Sequence, residues 1–343
     1  MERKLRVGIV GAGWAAAAHC ATLARLEDVD VVAVTDLDPN RADTLAAASG
    51  ATAFATSATL VESAELDAVV VATPPGERRE TVVAAVEAGI AVYLEKPLAR
   101  TLDDAQAIVV AAERSRTVCA VGYQWRSVAA LPALARLLDG QELRLLLSEG
   151  VGITQARSWF LDPAQSGGLI AERASHHIDL QRHVGGEVVE VQALRSSVER
   201  KALAEAASLP TDAELETAVS LGLRFSSGAL GAVHVVWTSD VVPARHRLSV
   251  IGSQSSFDLE LDPVFEVRQR GSGGRVGLPQ VHDPFAAALI RFVEAVRRSD
   301  PNGVDCTARD AAGSLACTLA CERALETGDT VAVEPLPARG DRV

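Results

Sequence analysis

Leu5-Arg6-Val7-Gly8-Ile9-Val10-Gly11-Ala12-Gly13-Trp14-Ala15-Ala16 is the stretch whose reading decides the fold. Leu5 to Val10 is a short apolar run that ends in glycine, and Trp14 to Leu26 follows as an alanine-rich helical segment. A strand, a glycine turn and a helix in that order are the context a GxGxxA fingerprint requires. Gly11 permits the tight turn. Gly13 lets a pyrophosphate approach the helix N-terminus, where free N–H groups and the helix dipole favour anions. Ala16 can stand in for the third glycine, because that position needs only a small residue between helix and strand. Trp14 and Ala15 belong to the same turn. The alternative is a glycine turn in another kind of parallel-sheet protein.

Outward from this stretch, residues 5 to 122 alternate strand and helix signals. Val29 to Thr35, Ala68 to Ala72, Ala91 to Leu94 and Val118 to Val121 read as further buried strands. Arg41 to Ser49, Glu80 to Ala88 and Leu102 to Ser115 read as the helices between them. Short continuous apolar strands separated by helices imply a parallel sheet covered on both faces, and right-handed crossovers make it doubly wound. The second strand ends at Thr35-Asp36, the expected place for a carboxylate that takes both ribose hydroxyls of a dinucleotide. A carboxylate there would repel a 2′-phosphate, so NAD is expected over NADP. Arg41 keeps NADP open, and a turn or cap role for Asp36 is the bland reading.

Beyond residue 123 the pattern changes. Leu143 to Ile153, Val188 to Val198, Ala218 to Phe225, Ala229 to Thr238 and Arg245 to Ile251 alternate with period two. Ser226-Ser227-Gly228 is the turn between two of them. These signals predict an antiparallel sheet with one polar face. Helices are expected near Ala129 to Leu138, around His176, from Phe285 to Arg298 and from Thr307 to Leu325, with a glycine-rich loop at Arg270 to Gly277. The fold class is therefore α/β. An N-terminal doubly wound Rossmann domain (1–122) precedes an α/β domain built on a mainly antiparallel sheet with one polar face (123–333) and a polar tail (334–343). The C-terminal helices are free to pack back on the first domain.

Composition narrows the function classes. The 343 residues include 33 basic and 45 acidic side chains, for a net charge of −12. Clustered cations, the basis of nucleic-acid affinity, are not what such a chain offers. No stretch approaches the roughly 20 apolar residues of a membrane span, and the charged N-terminus lacks the pattern of a signal peptide. Cys20, Cys119, Cys306, Cys317 and Cys321 form no CxxC pair and read as small core residues. A cytoplasmic location is expected. Of the 33 basic residues only Lys4, Lys96 and Lys201 are lysine.

Lys96 lies in Glu95-Lys96-Pro97, directly after the fourth strand recognised here. The carboxyl ends of parallel strands are where such sheets bind ligands. Lysine can move protons, whereas arginine stays charged. The other dense segment is Gly167-Gly168-Leu169-Ile170-Ala171-Glu172-Arg173-Ala174-Ser175-His176-His177-Ile178-Asp179-Leu180. On a helix, Glu172 and His176 stand one turn apart, and Asp179 and His183 extend the stripe. A carboxylate beside an imidazole suits proton transfer near neutral pH. A capped helix with structural histidines and a metal site are the competing readings. No metal is assigned, because the spacing matches no recognised ligand pattern.

Gly11-Ala12-Gly13-Trp14-Ala15-Ala16-Ala17-Ala18-His19, Ala72-Thr73-Pro74-Pro75, Glu95-Lys96-Pro97, Gly167-Gly168 and Glu172 to Asp179 together resemble the Gfo/Idh/MocA family of oxidoreductases. The resemblance spans nearly the whole chain. It implies hydride transfer between a nicotinamide cofactor and a hydroxyl or keto carbon of a sugar, inositol or related polyol. It places Thr73, Pro74, Glu95 and Lys96 with the cofactor, and gives Lys96 and His176 the catalytic roles, with Glu172 as the partner of His176. Three departures stand out. That partner is usually Asp, Arg78 replaces a frequent His after the Thr-Pro-Pro turn, and Ala15 fills the small or aliphatic slot before Ala16. Arg126, Arg157, Trp159 and His177 are the substrate candidates, two of them arginines able to grip an anionic group. His234 and Trp237 read as sheet packing. The alternatives are cleavage of a glycoside through transient oxidation and a non-catalytic nucleotide-binding regulator. The resemblance also implies that the sheet of the second domain is large and open, and an open face favours a homodimer or homotetramer.

Overall fold

A computed structural model describes residues 3–153, 166–196, 217–238, 243–262, 264–271, 274–277 and 280–336. The chain divides into two compact units, one running to Gln124 and including Pro284–Ala312, the other made of Trp125–Asp283 and the chain from Gly313.

The first unit is built on a six-stranded parallel sheet in the order β3-β2-β1-β4-β5-β6. The strands are β1 Leu5–Val10, β2 Val29–Thr35, β3 Thr52–Phe54, β4 Ala68–Val71, β5 Ala91–Leu94 and β6 Cys119–Val121. All four residues of β4 and of β5 are buried, as strands covered on both faces must be. Helices α1 Trp14–Leu23, α2 Pro39–Ser49, α3 Ser57–Ser63, α4 Arg79–Glu87 and α5 Leu102–Ser115 connect them. Their limits follow local chemistry. The Asp38 side chain caps α2 ahead of Pro39, and Gly50 closes it in the left-handed region. Thr101 caps α5. β3 and α3 escaped the sequence reading. β3 is a three-residue edge strand in which Thr52 and Ala53 are exposed and Phe54 half-buried, and α3 is capped by a Thr56–Thr59 box that lacks the usual Glu or Gln.

The second unit carries a nine-stranded sheet in the order β14-β13-β12-β11-β7-β10-β9-β8-β15. These are β7 Leu143–Ile153, β8 Val188–Ser196, β9 Ala218–Phe225, β10 Leu230–Thr238, β11 Arg245–Gly252, β12 Ser256–Asp262, β13 Glu266–Gln269, β14 Arg275–Val276 and β15 Val331–Ala332. β10 runs parallel to β7, and the other pairs are antiparallel. The period-two pattern holds. Val219, Leu221, Leu223 and Phe225 of β9, with Val233, Val235 and Trp237 of β10, form one buried face. Helices α6 Leu131–Leu138 and α7 Ser175–Gly185 pack on it through Leu131, Leu134, Leu138 and Ile178. The opposite face carries His234, which is exposed. The expected glycine-rich loop at 270–277 contains β14.

Helices α8 Pro284–Arg298 and α9 Ala308–Thr327 complete the fold. α8 joins the first unit, where Leu289, Phe292 and Val293 share a core with Val7, Ile9 and Tyr93. α9 starts in the first unit and from Gly313 belongs to the second, whose core takes Cys317, Ala320, Cys321 and Ala324. All five cysteines are buried and none forms a disulfide, and burial pushes the Cys119 thiol up to about 12. No described helix is long and apolar enough to cross a membrane.

Candidate active site

The turn after β1 is shaped by what its glycines omit. Gly11 has φ +93°, and a Cβ there would lie 2.8 Å from the Ala72 carbonyl oxygen. Only glycine fits. A Cβ on Gly13 would meet nothing within 4 Å, so the space before α1 is open to a ligand. Gly13 is the N-cap of α1, no side chain caps it, and the first turn holds no acidic residue. The N–H groups there are left for an anion. Ala16 is fully buried, as the helix–strand contact requires. Trp14 is 67% exposed and its ring lies 5.8 Å from that of Phe285. The half-buried Ala15 sits beside it.

Asp36 stands at the end of β2. Its carboxylate accepts from the Ala12 N–H at 2.7 Å and the Asp38 N–H at 2.8 Å, and pairs with Arg41 at 2.9 Å. The acidic side chain is thus tied to the glycine turn itself. Thr73 and Pro74 follow β4, and the buried Thr73 hydroxyl oxygen has no hydrogen-bond partner. An open glycine cradle, a carboxylate at the second strand and an orphaned hydroxyl fit a dinucleotide. These residues would hold its pyrophosphate, ribose and nicotinamide portions respectively.

Lys96 is half-buried in the turn after β5, which is held closely. The Glu95 N–H donates to the Val71 carbonyl at 2.9 Å, and His19 Nε2 donates to Glu95 Oε1 at 2.7 Å. His19 is fully buried and stacks on Phe285 with ring centroids 4.3 Å apart. The Arg78 guanidinium donates to the carbonyls of Thr73, Glu95 and Pro97. The Lys96–Pro97 peptide is cis.

In the second unit, Ile170–Ala174 forms a π-helical turn that leads straight into α7. Such turns recur at functional sites. Glu172 and Arg173 lie on it, and His176 opens α7; all three are half-buried. The Trp125 ring lies 5.3 Å from His176, 4.7 Å from His177 and 5.2 Å from His246. His177 Nε2 and His246 Nδ1 are 3.2 Å apart. Burial holds His177 well below the ordinary imidazole range, helped by His246 and Arg173. Burial, with Arg173, brings His246 down to about 4. Both rings are therefore neutral at pH 7. Gly150 and Gly152 of β7 make room for this layer. A Cβ on Gly150 would lie 2.6 Å from His177 Nε2, and one on Gly152 3.2 Å from the Arg173 guanidinium carbon.

Several sequence expectations change here. Arg126 does not present a free guanidinium to a substrate anion. It is buried and makes two 2.8 Å bonds to the Asp179 carboxylate, a bidentate pair. Asp179 also accepts from Ser314 at 2.6 Å, so it leaves the expected Glu172–His176 stripe. His183 is exposed. His177 is fully buried against Trp125 and His246, which removes it from substrate contact. Arg157 and Trp159 lie outside the described residues. Among the described residues, no group of three or more His, Cys, Asp or Glu side chains is placed to hold a metal. Three participants were not singled out for these positions: Trp125, Arg173 and His246. Strand parity carried a signal for the last, since period two puts His246 on the face of Leu248 and Val250.

A family model described as "Oxidoreductase family, NAD-binding Rossmann fold" matches residues 5–123, and one described as "GFO/IDH/MocA C-terminal domain" matches residues 144–258. Inositol 2-dehydrogenase 1 of Saccharopolyspora erythraea is 31% identical over 96% of both chains. The 1,5-anhydro-D-fructose reductase of Ensifer adhaerens is 29% identical over 96% of this chain and 98% of its own. In fold, the chain is similar to levoglucosan dehydrogenase solved with NADH and L-sorbose. The TM-score is 0.83 at 19% identity, over 98% of this chain and 100% of the other.

Proposed function

Because the chain belongs to the Gfo/Idh/MocA family of NAD-binding oxidoreductases, we propose that it oxidises or reduces a CH–OH carbon of an inositol, sugar or related polyol, with NAD preferred over NADP. The relatives named for inositol and anhydrofructose support the substrate class. The observation that carries the reading is the position of Lys96. It follows β5 on the sheet whose β1 ends in the open Gly11–Gly13 cradle, and β4 alone separates the two strands.

Bound NAD supplies a hydride acceptor or donor. The chain does the rest. In oxidation, His176 takes the hydroxyl proton, Lys96 stabilises the resulting alkoxide, and Glu172 orients the His176 ring and supports its charge. His177 and His246, neutral around Trp125, add no competing charge beside His176. Asp36 excludes a 2′-phosphate by repulsion while Arg41 stays paired to it. The reading also includes a cytoplasmic setting, supported by five cysteines held as thiols, and self-association through the open sheet.

Stopped-flow and steady-state assays with a polyol and keto-sugar panel test it, with NAD(H) and NADP(H) titrated side by side. Lys96→Ala and His176→Ala should each lower kcat by on the order of 10²–10⁴. NADH affinity should stay within about 3-fold. Turnover at the wild-type rate in both variants sinks the assignment. Nucleotide that survives dialysis and shows no net redox change during turnover would favour glycoside cleavage instead.

A further inference from the structure

Arg78 occupies an unfavourable place for a cation. It precedes α4 at the N-cap position, where the helix dipole repels positive charge. It is also only 3% exposed. A guanidinium buried at the positive end of a helix persists only where other groups satisfy it.

Those groups are carbonyl oxygens from two separate loops. Nε donates to the Thr73 carbonyl at 2.8 Å, and Nη2 donates to the same oxygen. Nη1 donates to the carbonyls of both Glu95 and Pro97. One nitrogen thus bridges the two carbonyls that flank Lys96 in sequence. Fixing the 95–96 peptide plane on one side and the Pro97 carbonyl on the other restricts the backbone torsions of Lys96. The direction of its Cα–Cβ bond follows from those torsions.

The turn has two further ties. The Glu95 N–H continues the β4–β5 ladder through Val71, and the Glu95 carboxylate accepts from the buried His19 at 2.7 Å. Past the turn, Leu98 and Ala99 are buried. Lys96 is therefore a half-exposed residue between anchored neighbours on both sides. Only a planar fork with several donors reaches all three carbonyls. An ammonium is a single point, and a neutral imidazole carries one N–H.

We propose that Arg78 is the positioning residue for Lys96: its guanidinium clasps the Thr73 turn to the Glu95-Lys96-Pro97 turn and sets the aim of the lysine side chain. Arg78 acts through Lys96 and does not touch the reacting atoms. The proposal rests on the reading of Lys96 as a catalytic group, and the test separates the two.

The composition of the chain makes Lys96 observable, because the protein contains only three lysines. Full-length protein labelled with ¹³Cε-lysine and saturated with NADH gives a spectrum simple enough to read, and Lys96→Arg identifies the signal. In Arg78→Gln the Lys96 resonance should move to the position of a freely rotating lysine. In Arg78→Gln and Arg78→Lys, kcat should fall by on the order of 100-fold, the effect of a misplacement near 1 Å. KM and the NADH Kd should shift by less than about 3-fold. The lysine variant keeps the charge and loses the fork, so it should fail to rescue.

Arg78→Lys with kcat within about 3-fold of wild type, or an unmoved Lys96 resonance in Arg78→Gln, overturns the proposal. A loss confined to NADH affinity also overturns it, because Arg78 would then serve the Thr73 turn alone. If Arg78→Gln does not fold, Arg78→Lys decides by the same readouts. If Lys96→Ala keeps full turnover, the catalytic reading of Lys96 fails, and the resonance shift still decides whether Arg78 orders that side chain.

Discussion

His246 and His177 share a 3.2 Å contact beside Trp125, with Arg173 the nearby cation. An imidazole in the unfolded chain takes its proton near pH 6.5, whereas His246 in the fold does so at about 4. Between those values the unfolded state holds more protons. Stability is therefore complete above about pH 6.5 and is lost as the pH falls toward 4. The His246 shift corresponds to on the order of 3 kcal/mol. Glu149 and Asp258, held below the ordinary carboxylate range by arginine pairs, act lower still, as pH falls through their own folded values. Urea unfolding of wild type and His246→Gln at pH 7.5 and 4.5 checks this. The variant should lose clearly less stability between the two; parallel losses would remove His246 from the acid limb. At this scale the sequence was informative where a motif fixed the position. Gly11, Gly13, Asp36 and Lys96 fall at strand ends as the fingerprint required. Arg126 and His177 misled because burial is tertiary. An arginine just after a strand reads as available until a carboxylate from α7 is seen to hold it.

Elements were legible largely through length and periodicity, although the seven-residue β12 was not read as a strand. The long alternating strands β7 to β11 were read from period two alone, since each has one buried face. β13, β14 and β15 have four, two and two residues, too few to show a period. The π-turn at 170–174 was invisible for another reason. Its sequence is a sound α-helical one, and only the packing around it selects the wider turn. β7 shows a further signal that needs the structure to interpret. Its Glu149-Gly150-Val151-Gly152 run weakens a strand, because glycine adds entropy cost and packs nothing. The two glycines face the imidazoles and Arg173, so the strand gives up side chains to admit them. Gly150→Ala, with its Cβ 2.6 Å from His177 Nε2 and 3.2 Å from His246 Nδ1, should destabilise by about 1–3 kcal/mol. Gly222→Ala is the matched control, since a Cβ there would meet only Gln192, at 3.8 Å. Chemical denaturation of both decides it, and equal effects would mean that strand glycines are being read and not the histidine layer.

For the whole molecule, the chain order and the spatial order part company. Pro284–Ala312 returns to the first unit after the second has been largely built. Sequence allowed that return without requiring it, because the apolar stripe of α8 does not say which core it enters. The same limit applies to the open face of the large sheet. Register places Leu145 beside Leu230, Leu147 beside Ala232 and Val151 beside Val236 across β7 and β10. Leu194 of β8, opposite Ser220 on the same face, is 73% exposed. Ion pairs share this face: Arg224–Glu190 toward its β8 side, and Arg247–Glu149, whose carboxylate lies on β7 between Leu147 and Val151. Apolar side chains interleaved with ion pairs across the middle of an open sheet supply both apolar area and the charged groups that fix register when a second face docks on it. A twofold arrangement of two such faces is self-complementary and closes. The proposed self-association then makes a definite prediction. Light scattering after gel filtration should give a multiple of the 35.9 kDa chain mass. The double substitution Leu147→Lys and Val236→Lys places like charges on the two central strands, and should yield the single-chain mass. Both side chains point away from the buried core, so the thermal midpoint of the variant should reflect lost association and not a damaged fold. Concentration dependence separates those outcomes, because only an associating protein melts higher as it is concentrated. A wild type that runs at the single-chain mass at micromolar concentration, or a variant that keeps the larger mass, rejects this face as the interface.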